Sequence, residues 1–277
     1  MALPEIVTFW TGNPFGLIER LCIQSFLDVG HPVTLYSYGP VGNVPEGVTT
    51  ADANAILPEP GTVTVHARTQ SPAPFADRFR YLLLRDRPGV IWADTDAYCV
   101  APFQPRDGYF LGYCDRHSKL VNNGVLALPP DSPALAEMIA YTSNETAILP
   151  WLPRKVLDEA CRRHRDGDPM HITEFPWGVW GPEGLTYTMR QSGEIDRALP
   201  PPALYPILFE DRGRFFRKAS LLQEHVTDET MSIHLYGRRV RARLNEKHDG
   251  VPPPGTILEA LARRHGLMPE AEADAAG

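Results

Sequence analysis

Several things are missing from this chain. No apolar run is long enough to cross a bilayer, which takes about 20 apolar residues as a helix, and no N-terminal signal segment is evident. There is no G-x-G-x-x-G and no P-loop pattern, so the two common glycine cradles for phosphate groups are excluded. Cysteine is scarce. Cys22, Cys99, Cys114 and Cys161 include no C-x-x-C pair, which argues against a disulfide framework or a cysteine zinc site. They are expected to be reduced core residues in a cytoplasmic protein. Positive charge is in deficit, 27 Lys and Arg against 34 Asp and Glu for a net charge of -7, which argues against a nucleic-acid partner.

What remains is an ordinary globular composition, 43% hydrophobic and 22% charged over 277 residues, with ample apolar material for a core. The length fits one large α/β domain over residues 1–266. The 28 prolines are dispersed among apolar segments, so they indicate long ordered loops. A polar, Ala- and acid-rich tail over 267–277 is expected to be disordered.

The most informative stretch runs from Phe75 to Asp96. Phe75, Phe79, Leu82 and Leu83 are apolar at helical spacing. Pro88-Gly89 stops that helix and turns the chain. Val90-Ile-Trp-Ala93 then reads as a short buried strand. The strand delivers Asp94 and Asp96 at its carboxyl end, on one side of the extended chain. Two carboxylates so placed repel unless a cation lies between them, and hard cations such as Mg²⁺ and Mn²⁺ take oxygen ligands and substrate phosphates together. The alternative is a pair of solvated carboxylates capping the next turn. Asp166-Gly-Asp168 serves as an internal control: it has the same spacing but lies in polar, charged surroundings, and it reads as a solvated turn. Asp77 and Arg80 stand three apart on one helix face. They either grip a ligand together or form a surface ion pair of little energetic weight.

Ile6–Trp10, Leu17–Leu27 and Val33–Ser37 read as strand, helix and strand, a βαβ unit with a parallel sheet. Residues 39–74 read as a long loop with one helical piece at 52–57. Tyr109–Tyr113 and Gly124–Leu128 read as strands, and 132–144 and 155–165 as helices. Pro182 opens a further helix after Trp177-Gly-Val-Trp180. Met231–Gly237 is an apolar strand carrying His234, followed by Arg238, Arg239 and Arg241. A last helix covers 256–265. Asn122 and Asn123, before Gly124, are ordinary turn residues or ligand-facing amides. Trp10, at a strand's carboxyl end, either packs in the core or stacks on a base. Arg162–Arg165 reads as a solvated basic face, with an acidic acceptor or an anionic membrane surface as the minor alternative.

Residues 75–103 resemble the core motif of D-x-D glycosyltransferases with the GT-A fold. The resemblance points to family 32-like bacterial sugar transferases of the capsular polysaccharide or glycolipid type, and more distantly to the clostridial toxin glucosyltransferases. Ala76-Asp-Arg-Phe-Arg80 is similar to their S/A-D-x-x-R helix. Gly89-Val-Ile-Trp-Ala-Asp-Thr-Asp96 is similar to their G-x-x-x-D-x-D strand, with Pro88-Gly89 where the family usually has Gly-Gly. Gly181-Pro-Glu-Gly-Leu-Thr186 is similar to their G-P-x-x-L-T run. His234-Leu-Tyr-Gly237 is similar to the H-x-x-G segment of related galactosyltransferases, with Val240 where they carry a lysine.

The resemblance implies a GT-A-like fold: a Rossmann-like, mixed, mainly parallel central sheet flanked by helices, with a variable helical region on the acceptor side. It places Asp94, Asp96 and His234 on Mn²⁺ or Mg²⁺. Trp10, Asp77, Arg80, Trp92, Asp94, Asn122, Asn123, Gly237, Arg238 and Arg239 then surround a nucleotide-sugar donor, expected to be a UDP-sugar. Asp94, Asp96, Asp77 and Arg80 carry catalysis. The implied reaction moves the sugar to a hydroxyl of a saccharide, glycolipid or other acceptor, with retention, in polysaccharide or glycoconjugate synthesis. A metal on Asp94 and Asp96 takes the place of the missing glycine cradle. Trp177, Trp180 and Glu183 face either the sugars or the core and helix end. No transmembrane segment is expected, and peripheral membrane contact stays open. Two rival readings remain, a non-catalytic nucleotide-sugar-binding protein and a haloacid-dehalogenase-like D-x-D phosphohydrolase. The second lacks its usual accompaniments, an N-terminal D-x-D strand and a later strand ending in paired acids.

Overall fold

The computed structural model describes residues 2–268 except 13, 61, 62 and 118. The tail expected to be disordered lies, from residue 269 onward, outside the described residues. In chain order the elements are β1 (Ile6–Phe9), α1 (Leu17–Val29), β2 (Val33–Ser37), β3 (Thr49–Asp52), α2 (Ala73–Asp86), β4 (Ile91–Ala93), β5 (Ala97–Cys99), β6 (Phe110–Tyr113), β7 (Val121–Ala127), α3 (Pro133–Thr142), α4 (Arg154–Arg165), α5 (Gly184–Ser192), α6 (Pro201–Leu204), β8 (Ser232–His234), α7 (Gly237–His248) and α8 (Ile257–Arg264).

Six strands form one sheet in the order β3-β2-β1-β4-β7-β6. β3, β2, β1 and β4 are parallel, while β7 runs antiparallel to β4 and β6 antiparallel to β7. The expected mixed, mainly parallel α/β sheet flanked by helices is the fold found. Both faces are covered, and the strands alternate between them residue by residue. Ile6, Ile91, Ala93, Val125 and Ala127 pack with Ile23 and Phe26 of α1. Val7, Phe9, Trp92 and Leu126 pack with Phe79 and Leu83 of α2, Met138 of α3 and Leu185 of α5.

α1 is apolar on a second face as well. Ile18, Leu21 and Cys22 meet Tyr98 of β5, Ile233 of β8, Val240 and Leu244 of α7, and Leu258 and Leu261 of α8. A helix apolar on both sides is a buried helix; α1 thus lies between the main sheet and a C-terminal layer. That layer contains a two-stranded antiparallel ribbon, β5 with β8. A separate small core of Leu149, Leu152, Ala160, Ile172, Phe175, Val179 and Trp180 organises the region around α4.

The structure corrects or adds to the sequence expectations at five points. The stretch 39–74 is not all loop, because Thr49–Asp52 forms an edge strand on β2. Its Thr-Thr-Ala-Asp sequence is largely exposed and carries no apolar alternation to read. The strand expected at Gly124–Leu128 begins earlier, at Val121, so Asn122 and Asn123 lie within a strand and not in a turn. β5 follows the carboxylates directly, too short to carry a period. The arginines after Gly237 are on a helix, which starts at Gly237 itself. Of the cysteines, Cys22 and Cys99 are core residues, but Cys114 and Cys161 are only half-buried; all four are free thiols.

α2 and β4 have the expected form. Gly89 takes φ +85° in the turn between them, a conformation that favours glycine. Phe79 of α2 is fully buried and stacks on Phe9 at 4.4 Å between ring centres, with Tyr36 at 6.0 Å and Trp92 at 6.4 Å. Phe79→Ala leaves a cavity between α2 and the sheet and is expected to cost about 3–5 kcal/mol, read from the urea midpoint at constant slope.

Candidate functional site

β4 ends at Ala93, and the chain turns at once, with Ala97 N–H donating to the Asp94 carbonyl at 2.9 Å. Asp94 N–H donates to the Gly124 carbonyl of β7 at 2.7 Å, which fixes the first carboxylate over the sheet edge. The second is fixed from the far end of the chain. In the β5–β8 ribbon Ala97 is paired with His234, and Leu235 N–H donates to the Asp96 carbonyl at 2.8 Å. Gly237 N–H, opening α7, donates to Asp96 Oδ2 at 2.7 Å. A carboxylate at a helix N-terminus is electrostatically favoured there. His234 Nε2 lies 3.3 Å from Asp96 Oδ1. One ligand atom each from Asp94, Asp96 and His234 thus falls within 4.8 Å of the others.

Gly124 leaves room for this group. A Cβ there would stand 2.9 Å from Asn122 Oδ1, 3.0 Å from Asp94 Oδ2 and 3.3 Å from His234 Nε2. Two carboxylate oxygens and one imidazole nitrogen around a space kept open by glycine suit Mn²⁺ or Mg²⁺. His234 Nδ1 accepts from Tyr236 N–H at 3.1 Å, which puts the ring proton on Nε2. Ligation of a cation through Nε2 would require that proton to sit on Nδ1 instead, at the expense of the Tyr236 bond.

Behind the carboxylates lies a buried ionic network. Arg80 donates through Nη2 to Asp94 Oδ1 at 2.6 Å and through Nη1 to Asp77 Oδ1 at 2.9 Å. Its guanidinium covers the Trp92 ring at 4.6 Å, and Trp92 Nε1 donates to the same Asp94 oxygen at 2.8 Å. Asn123 donates to Asp77 Oδ1 at 2.8 Å, and Tyr81 donates to the Trp180 carbonyl at 2.9 Å. Burial pushes the Asp77 carboxyl up to about 6, against the opposing pull of Arg80 and Asn123. Burial is also the chief reason that the Asp94 carboxyl lies above its ordinary value, with Arg80 opposing and Asp96 reinforcing. Burial works against the Arg80 charge, but Asp94 and then Asp77 outweigh it and raise its pKa.

The structure therefore gathers Asp77, Arg80, Trp92, Asp94, Asp96, Asn122, Asn123, His234 and Gly237 in one place. Asp77, Arg80, Trp92 and Asn123 are buried, and they form the inner layer that supports the carboxylates. Asn122 Oδ1 accepts from Gly124 N–H at 2.7 Å. The other candidates spread along α7. Arg238 donates to the Thr69 carbonyl at 2.8 Å and lies 5.8 Å from the centre of the Trp177 ring. Arg241 pairs with the buried Glu19 of α1 and lies 5.8 Å from the Trp10 ring; Trp10 also meets Phe15 edge-on at 5.5 Å. Arg239 turns into a different cavity. Trp180 is core, Trp177 is 44% exposed, and Glu183 is exposed. The control pair behaves as read: Asp166 and Asp168 are exposed and paired with Arg162 and Arg163.

Sequence reasoning missed Gly124 and Tyr81, and reached Gly181 only through the resemblance of its run. A Cβ on Gly181 would stand 3.1 Å from Asp77 Oδ2, so its backbone closes over that carboxylate. The available signal was glycine inside what proves to be a strand, which marks a close approach.

No protein-family model matches the chain, and no curated protein matches it in sequence. Three solved structures show a distant likeness. The PaToxG glycosyltransferase is 15% identical over 68% of this chain and 67% of that one, with a TM-score of 0.40. A transferase carrying two cysteine-to-serine substitutions is 14% identical over 63% and 90%, with a TM-score of 0.33. Mouse xyloside xylosyltransferase 1 in its apo form is 10% identical over 83% and 96%, with a TM-score of 0.39. The functional reading below rests on this chain's own residues.

Two outcomes are expected. Gly124→Ala crowds the ligand atoms; calorimetric titration with Mn²⁺ is expected to show weakened binding, with a stability cost of about 1–3 kcal/mol. Asp77 has a folded pKa near 6 against about 4 unfolded, so the native state holds the extra proton between those values. The Asp77 contribution is then fully present below pH 4 and is lost as pH rises through 6. Asp77→Asn keeps the acceptor oxygen and is expected to flatten the fall in unfolding free energy over that window. Parallel profiles for the two proteins would contradict this.

Proposed function

We propose that the chain is a metal-dependent glycosyltransferase that moves a sugar from a nucleoside-diphosphate sugar to a hydroxyl acceptor. The observation that carries the reading is the convergence of Asp94, Asp96 and His234 at the carboxyl end of a parallel strand, where open α/β sheets bind nucleotides. The donor is a UDP-sugar. The acceptor is a saccharide, glycolipid or other hydroxyl compound, and the route is polysaccharide or glycoconjugate synthesis of the family 32 type.

Asp94 Oδ2, Asp96 Oδ1 and His234 Nε2 would hold Mn²⁺ or Mg²⁺, which when bound supplies Lewis-acid stabilisation of the diphosphate leaving group. Arg80 holds Asp94 by one oxygen, leaving the other directed toward Gly124 and His234. Asp96 is oriented by the α7 N-terminus. Asp77, the neighbour of Arg80, stands under the Gly181 backbone, where the donor sugar would lie. Trp10, Asn122 and Arg238 surround the nucleotide side. The acceptor hydroxyl attacks with retention, its proton passing to the leaving phosphate. The half-exposed Trp177 offers an apolar face to a sugar ring. No described helix is long and apolar enough to cross a membrane.

A thermal-shift panel of nucleotide sugars with Mn²⁺, Mg²⁺ or EDTA tests this, since a ligand that binds only the native state raises Tm with concentration. One UDP-sugar is expected to stabilise the wild type only with metal, with Asp96→Ala abolishing the shift. Turnover in the presence of an acceptor is expected to fall by more than about a hundredfold in Asp96→Ala, since even outer-sphere changes at metal sites cost 10–100-fold. Metal-dependent stabilisation without turnover on any acceptor would assign the chain the binding-protein role. No shift with any nucleotide sugar would remove the reading.

A further inference from the structure

A second cavity, of about 310 Å³, lies between the stretch Phe209–Phe216 and α7, and none of Asp94, Asp96 and His234 lines it. Its walls carry three guanidinium groups, those of Arg212, Arg239 and Arg243. Arg239 and Arg243 are one helical turn apart on α7, so they share a face and repel each other. None of the three forms an ion pair among the described residues. Glu210 also lines the cavity, and no ion pair joins it to them. Two of the arginines are held by aromatic rings: Arg212 lies 4.1 Å from the Phe209 ring centre and Arg243 lies 4.4 Å from that of Phe216. Arg212 also donates to the Phe209 carbonyl at 2.6 Å. Gly213 lines the cavity beside Arg243: a Cβ there would meet Arg243 Nη1 at 3.6 Å, an ordinary contact, so only a larger side chain fills the space.

Several of the arginines elsewhere are neutralised, although others, such as Arg238 on the Thr69 carbonyl, are not. Arg80, Arg87, Arg162, Arg163, Arg197 and Arg241 each face a carboxylate. Three unneutralised guanidiniums converging on one cavity, two of them fixed by stacking, form a preorganised anion site. Guanidinium forks match phosphate oxygens in geometry. We propose that Arg212, Arg239 and Arg243 bind a phosphate or diphosphate group at a site of its own, independent of the Asp94–Asp96–His234 cluster. The group arrives either on a free phosphorylated molecule or as the headgroup of a phospholipid. The assignment stands on the arginine geometry and does not require the glycosyl-transfer reading.

The test is run in EDTA, which removes any contribution from bound metal. One arm titrates inorganic pyrophosphate by thermal shift, and the other measures sedimentation with phosphatidylglycerol vesicles. Both use the wild type, Asp94→Asn, the double variant Arg239→Gln with Arg243→Gln, and Gly213→Leu. The wild type and Asp94→Asn are expected to bind equally. The double variant is expected to lose about tenfold or more in affinity, as charge-assisted bonds are removed. Gly213→Leu fills the cavity without changing charge and is expected to weaken binding too, which a merely basic surface would not show. Loss on the pyrophosphate arm identifies a free phosphate compound, and loss on the vesicle arm alone identifies the headgroup. Both altered side chains of the double variant are exposed, so its fold is expected to be retained, checked by circular dichroism. Absence of wild-type binding on both arms, or undiminished binding by the double variant on both, overturns the proposal.

Discussion

A guanidinium taken out of water is expensive unless every part of it is answered, and Arg80, only 3% exposed, sets the terms for everything around it. Two of its nitrogens face Asp77 and Asp94, and its flat face rests on Trp92. Its Nε has no partner. Buried Arg80 and Asp77 thus meet the part-exposed Asp94 at one point, and removing either carboxylate would leave the buried guanidinium less well answered. Asp94 is locked to β7 and β5 by backbone bonds, and Asp77 is held by α2 and by Asn123 of β7. The network therefore ties helix to sheet at the point where the carboxylates emerge. Burial biases the inner Asp77 carboxyl toward its protonated form, and the network's Arg80 and Asn123 oppose that shift.

The outer pair depends on chain far away. Asp96 finds its partners in β8 and α7, more than a hundred residues later. What brings them there is α1, apolar on two faces, which anchors the C-terminal layer against the sheet. The packing of a helix near the start of the chain thereby sets the position of His234. Stability and site geometry are coupled through that one buried helix.

α7 distributes its arginines by helical period. Arg238 reaches the loop at Thr69, Arg241 reaches Glu19 beneath Trp10, and Arg239 and Arg243 face the second cavity. Neighbours in a basic run serve separate surfaces because each residue advances about 100° around the helix. The basic run is divided among three surfaces.

The local sequence determined what local physics governs. Apolar spacing marked α1 and α2, and Pro88-Gly89 marked the turn. The short run Val90–Ala93 marked a buried strand with Asp94 and Asp96 just beyond it, although a turn starting at Asp94, and not strand periodicity, brings the two together. The pairing of Asp77 with Arg80 followed from their helical spacing. Tertiary structure decided the rest. Burial made that pair the support of Asp94 where exposure would have left it a weak surface contact, and no spacing rule reports burial. β3 and β5 are too short or too polar to carry a period, and they exist through the neighbours they pair with. Gly124 reads as the start of a strand after two asparagines, and only the fold shows it as the gap beside the Asp94 and His234 ligand atoms. The partnership of Asp96 with His234 and Gly237 is a register between two strands distant in sequence, set by packing around α1, and only the folded chain contains it.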